Sequence, residues 1–179
     1  MTYDYTFKLP AWKRSMKAIH ILDADEREIG SIQPFYSSKM DEVVSRYLTI
    51  YNKTNYRFNY SNSEQGFEVH AHSIKDTLFK LRWTLFNHEQ QQVGLLVNES
   101  KITTNPTFAY YKEHETFYLT NDFLDKNTMI KTENGTKIAN TYFNHLIIGR
   151  TFYIKMYVEE RLSLEEIYLL SLIAVIPMD

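Results

Sequence analysis

The stretch Ile167-Tyr168-Leu169-Leu170-Ser171-Leu172-Ile173-Ala174-Val175-Ile176 constrains this chain's fold more than any other. Ser163-Leu164-Glu165-Glu166 precedes it as a capping box, with Ser163 as N-cap and Glu166 three residues on. Pro177 stops it. The spacing predicts a helix over 164–176. An amphipathic helix keeps a polar face; this one is apolar on every side, so it must be enclosed by protein or by lipid. At 1.5 Å per residue it extends about 20 Å, whereas a bilayer's hydrocarbon core is about 30 Å thick. A transmembrane span is therefore not expected, and Leu169, Leu170, Leu172 and Ile173 become the centre of a protein core.

Most of the remaining chain alternates with period two, the mark of strands with one buried face. Arg150–Val158 is the clearest case, with Phe152, Ile154, Met156 and Val158 on one side and Thr151, Tyr153, Lys155 and Tyr157 on the other. Counting a weaker run at Tyr3–Leu9, about twelve short strands follow one another at hairpin spacing. A phrase recurs at the hairpins: Ile21–Gly30, Leu85–Gly94 and, more loosely, Ile130–Ala139. Each ends an apolar run in a small polar residue, turns through polar residues, and resumes with a β-branched residue plus Gly or Ala. Asn134-Gly135 reads as a type I′ turn.

A sheet that surrounds a helix is a closed one. Eight strands leave room only for side chains, and about twelve leave a lumen that one helix fills. The sequence thus predicts a mostly β protein: a closed antiparallel barrel of about twelve strands enclosing the C-terminal apolar helix. One further helix is expected outside it over Ser38–Tyr51. There Met40, Val43, Val44, Tyr47, Leu48 and Tyr51 share one face, behind a capping box of Ser38 and Asp41. One domain over 1–179 accounts for the whole, with a basic leader at 1–16.

The barrel, its hairpins typified by Ile21-Leu22-Asp23-Ala24-Asp25-Glu26-Arg27-Glu28-Ile29-Gly30, and the C-terminal helix together resemble the tubby C-terminal-like superfamily. That group includes the tubby-like proteins, the LURP-one-related proteins of plants and the phospholipid scramblases. The resemblance spans roughly residues 17–177 and implies the fold and a link to membrane lipids. Scramblases carry a Cys-rich acylation segment, and this chain has no Cys. The basic residues of the tubby phosphoinositide pocket have no matching positions here, so no functional residue is transferred.

Charge and sulfur narrow the function. With 20 Lys+Arg against 22 Asp+Glu there is no overall basic excess, and a nucleic-acid partner is not expected. The lack of Cys excludes disulfides, a thiolate nucleophile and Cys-based metal sites. It also fits the cytoplasm, as does an N-terminus without a signal-peptide apolar run. Lys8, Lys13, Arg14 and Lys17 surround Trp12 near the N-terminus, opposed by the single Asp4. That combination suits an anionic headgroup; the alternative is a solvated leader whose Trp12 packs over the barrel mouth. Tyr110, Tyr111, Tyr118, Tyr153 and Tyr157 are expected to be exposed, either as a partner surface or in cross-strand pairs.

The rival reading is a metal-dependent enzyme. His70-Ala71-His72 places two imidazoles on one strand face, and His88, or His114 with Glu113, would have to supply the rest. Phe67, Val69 and Ala71 take the apolar face of that strand, so the imidazoles should face solvent. No nucleophile elbow, phosphate loop, dinucleotide fingerprint or zinc-protease motif occurs. The sequence reading is a non-enzymatic cytoplasmic binding module without cofactor, peripheral to an anionic membrane surface or engaging a protein partner.

Overall fold

A computed structural model describes residues 2–10, 15–47, 54–62, 66–72, 80–100, 106–122, 126–143, 150–158 and 160–175. Twelve strands follow in chain order: β1 Tyr5–Lys8, β2 Ile19–Asp23, β3 Glu28–Phe35, β4 Asn55–Tyr60, β5 Gly66–Ala71 and β6 Arg82–Phe86. The second half comprises β7 Gln92–Asn98, β8 Thr107–Lys112, β9 Glu115–Asp122, β10 Asn127–Thr132, β11 Lys137–Phe143 and β12 Thr151–Met156. Helix α1 spans Lys39–Tyr47 and helix α2 Leu164–Val175. Each strand pairs antiparallel with its neighbour in sequence, and β1 pairs with β12, closing the barrel. The expected twelve-stranded barrel is what forms. Residues 48–51 of the expected outer helix and Ile176 lie outside the described residues.

Helix α2 occupies the lumen. Ile167, Tyr168, Leu169, Leu170 and Leu172 have no solvent exposure, and Ile173 has 3%. Ser171, also fully buried in this run, is satisfied by the Thr141 hydroxyl of β11, which donates to it at 2.8 Å. The wall supplies the complementary surface through the alternation read in the sequence. Phe7, Ile21, Ile32, Phe58, Val69, Leu85, Leu96, Phe108, Phe117, Leu119, Ile130, Phe152 and Ile154 all point inward and are fully buried.

The recurring phrase is one structural device used three times. Hairpins β2–β3, β6–β7 and β10–β11 lie four strands apart around a barrel of twelve, so they sit at pseudo-threefold positions. In the first two, Asp23 and Asn87 accept through Oδ1 from the amides two and four residues on, at 2.9–3.0 Å. In the third, the Thr136 amide donates to the Thr132 hydroxyl at 3.1 Å. All three have a register shift after the turn and one residue of positive φ: Glu26 (62°), Gln90 (61°) and Gly135 (82°). That is the three-residue loop with a bulge. It corrects the type I′ reading, which needs positive φ at Asn134 as well as Gly135.

The residue closing each phrase is set by its neighbour. A Cβ on Gly30 would lie 2.5 Å from the Asn59 carbonyl oxygen and 2.8 Å from the Phe58 ring of β4, and one on Gly94 would collide with the Tyr110 ring of β8. At the third position the corresponding residue of β12 is Ile154, not an aromatic, and Ala139 replaces Gly. Glu26 and Gln90 bear the αL conformation with a side chain that disfavours it by about 1–2 kcal/mol. Glu26→Gly and Gln90→Gly are therefore each expected to stabilise the barrel by about 0.5–1 kcal/mol, read as a raised urea midpoint at unchanged slope.

An up-and-down barrel sends alternate connections to opposite ends. One end gathers the turns after β2, β4, β6, β8 and β10 and the entry into α2. The other gathers the connections after β1, β3, β5, β7, β9 and β11, most of them longer, and α2 points its C-terminus there, where Asn121 Nδ2 donates to the Ala174 carbonyl at 3.0 Å. These are the turn end and the loop end below.

Candidate functional site

The turn end is closed by the first turn of α2. Glu166 is 1% exposed, yet every oxygen is engaged. The Tyr110 hydroxyl donates to Oε1 at 2.6 Å; Lys112 Nζ and the Ser163 amide donate to Oε2, both at 2.8 Å. The Glu166 amide donates back to Ser163 Oγ at 3.3 Å, completing the capping box read in the sequence. Beside it, Tyr60 donates to Glu165 at 2.7 Å. Burial, with the Glu166 carboxylate adjacent, pushes the Tyr110 phenol far above its ordinary pKa and keeps it a donor. An open cleft of about 750 Å³ lies alongside, lined by Asn87, Gln91, Gln92, Tyr111, Lys112 and Glu113 among others. Tyr110 thus belongs to the interior. It alternates with Ala109 and Tyr111, so only one of the two tyrosines can face out, and Tyr110 shares its face with buried Phe108. Tyr111 and Tyr157 are exposed, and Tyr153 stacks on its cross-strand partner Tyr142 with centroids 5.2 Å apart.

The histidine pair lies on the outer wall near the loop end, but its two rings have separate partners. His70 Nε2 meets Glu68 Oε2 at 2.6 Å, and His72 Nε2 meets the Thr84 hydroxyl at 2.6 Å. The His70 ring also lies edge-on to Phe35 and Phe86. Glu68 is only 7% exposed, and Arg57 grips its other oxygen with Nε at 2.7 Å and a terminal nitrogen at 2.6 Å. Burial works to raise the Glu68 pKa; the His70 and Arg57 hydrogen bonds and charges overcome it, holding the carboxyl below its usual range. His70 thus lies on the outward face that strand alternation assigns it, with 34% of its side chain in water, and is flanked there by aromatic rings and an ion cluster. His88, Glu113 and His114 lie in turns at the opposite end. Among the described residues no group of three or more His, Cys, Asp or Glu is placed to hold a metal.

Of the basic residues singled out around Trp12, Lys8 at the end of β1 and Lys17 before β2 are exposed, both at the loop end. Trp12, Lys13 and Arg14 lie outside the described residues. The first part of the leader is not a tail: Tyr5–Lys8 is the strand that closes the barrel, and the Asp4 carboxylate receives Lys155 Nζ at 2.9 Å and the Met156 amide at 2.7 Å. Among the described residues no helix is long and apolar enough to cross a membrane.

The fold supplies the context for comparison. A crystal structure of a protein from Arabidopsis thaliana aligns with 97% of this chain and 90% of its own, at 9% identity and a TM-score of 0.48. No curated protein matches the chain. The family model described as Tubby C-terminal like domain matches residues 5–177, starting at the strand that closes the barrel rather than after it. Nearly the whole chain lies within that match, and the protein belongs to the Tubby C-terminal-like domain family, a family of generally non-enzymatic binding modules.

Proposed function

We propose that the protein is a non-enzymatic module that docks its loop end on an anionic phospholipid surface. The observation that carries this reading is a segregation of charge hidden by a net charge of −2. The six connections at the turn end carry eight carboxylates against two cations. The six at the loop end carry eleven cations against five carboxylates. These charges are assigned to the two ends by chain order, and Lys13, Arg14, Lys53, Lys75 and Lys101 lie outside the described residues; a barrel so segregated in charge would be oriented by its field before it touches a charged surface. Lys8 and Lys17 are exposed at this end, and the connection between β1 and β2 also carries Trp12, Lys13 and Arg14 in sequence, which makes the locally basic stretch a candidate part of a larger face. The filled lumen argues for recognition by this outer face rather than by an internal ligand cavity.

Each cation near an anionic leaflet contributes about 1 kcal/mol, and the attraction fades as salt shortens the Debye length. The protein is expected to sediment with phosphatidylserine-containing vesicles, not with neutral ones, and less as salt rises. Exchanging Lys13 and Arg14 for Glu should lower the partition coefficient by roughly thirtyfold or more, from two lost cations plus the repulsion introduced. Equal sedimentation of the wild type and this double variant would exclude the segment from the docking face.

A further inference from the structure

Helix α1 presents apolar side chains where a helix packed on the barrel would hide them. Ser38 caps it, accepting from the Asp41 amide at 3.0 Å and donating to the Asp41 carboxylate at 2.9 Å. Met40 and Val43, one turn apart, are 76% and 53% exposed. By sequence spacing the same stripe continues through Val44 and Tyr47. Large exposed hydrophobics are otherwise limited, among the described residues, to Tyr111 and Tyr157, whose rings carry a hydroxyl. Asp41 and Glu42, on the other side of the first turn, are the half-buried ones, so this helix turn has its apolar side out and its acidic side in. That inverts the usual arrangement for a surface helix.

The position of α1 identifies what covers it. The helix lies in the connection between β3 and β4, at the basic loop end, and the exposed Lys39 adjoins Met40. Exposed apolar side chains beside a lysine, at the end whose connections carry the excess of cations, match the interface of an anionic bilayer, where methylenes enter the acyl boundary and ammonium groups stay with the phosphates. We infer that α1 is an apolar anchor: Met40 and Val43 insert into an anionic phospholipid surface once the charge of the loop end has brought the barrel to it. This rests on the proposed lipid docking and adds a second, salt-insensitive contribution to it. Single weak signals hold proteins at membranes only marginally, and two together give lasting attachment.

Vesicle sedimentation at two salt concentrations separates the contributions. At about 1 M salt the Debye length is about 3 Å, so charge steering is largely screened while apolar insertion is not. Wild type should retain measurable binding there. Met40→Gln/Val43→Gln, which alters no charge and no buried side chain, should lose that residue of binding and lower the partition coefficient roughly tenfold at low salt. Its melting curve should match that of wild type. The absence of Cys permits a second readout: Val43→Cys carrying an environment-sensitive fluorophore should shift to the blue on addition of phosphatidylserine vesicles. Equal partitioning of wild type and the Gln variant at both salts, with no blue shift, would overturn the anchor while leaving charge docking intact. A blue shift that appears with protein concentration alone would assign the face to a second copy of the chain and likewise overturn it. Wild type that ignores anionic vesicles altogether would remove the lipid reading itself.

Discussion

Leu170→Asp is expected to leave no cooperatively folding barrel. Leu170 is fully buried, and α2 packs against β4, β5, β9 and β10, so its side chain is enclosed by the wall. Truncation to Ala removes the burial of three heavy atoms and leaves a cavity in a wall that hydrogen bonds hold open, at a cost of about 2–5 kcal/mol. An aspartate there adds the cost of placing a carboxylate among the apolar side chains of the core. Against a total stability of about 5–15 kcal/mol, that combination exceeds what the fold can absorb. Removal of residues 163–179 should have the same consequence, since the inward-facing phenylalanines and isoleucines would line an empty lumen. Soluble yield, a cooperative melt and amide dispersion are the measurements. A soluble, well-dispersed truncation would mean that the barrel stands without its helix, and the account of α2 as the core would fall.

The architecture was legible because its signals are local and repeated. Period-two alternation located all twelve strands, and an apolar run without a polar face, too short for a bilayer, left the lumen as its only place. What failed was anything decided by a neighbouring strand. Tyr110 and Tyr111 cannot be sorted in from out by composition, and the sorting comes from Phe108 and from Glu166, which is 56 residues away in sequence. His70 follows its strand's polar face, but the sequence does not show its neighbours there, Phe35, Arg57 and Phe86, which belong to three other strands. The turn at Asn134-Gly135 was misread because its partner hairpins, with Glu26 and Gln90 at the αL position, give no glycine to reveal the shared loop. The charge segregation does have a signal in the sequence. In an up-and-down barrel odd and even connections reach opposite ends, so summing charge by alternate connections exposes the dipole that the whole-chain total conceals. Nothing comparable announces the outward turn of Met40 and Val43, because an apolar helical stripe looks the same whether it faces a barrel or a bilayer.

Glu166→Ala is the second change expected to cost most, by about 2–5 kcal/mol, from the hydrogen bonds it leaves unmade. The loss does not come chiefly from the ion pair. Lys112 keeps 26% of its side chain in water and can turn outward to it, so the attraction between the two charges is partly screened. The Tyr110 hydroxyl has no such exit, because its residue is fully buried and its ring fills the space beside Gly94. Without the carboxylate that donor is stranded, and the Ser163 amide at the helix start loses its partner. Tyr110→Phe removes the donor instead and should cost about 1.5–3 kcal/mol, the range for a hydrogen bond to a charged group. Because both substitutions delete the same bond, the double variant should be less destabilised than the two singles combined, by an amount equal to their coupling. Urea unfolding of the four proteins supplies all the quantities. Strict additivity would mean that Tyr110 and Glu166 do not act together, and that α2 is held at the turn end by its apolar packing alone.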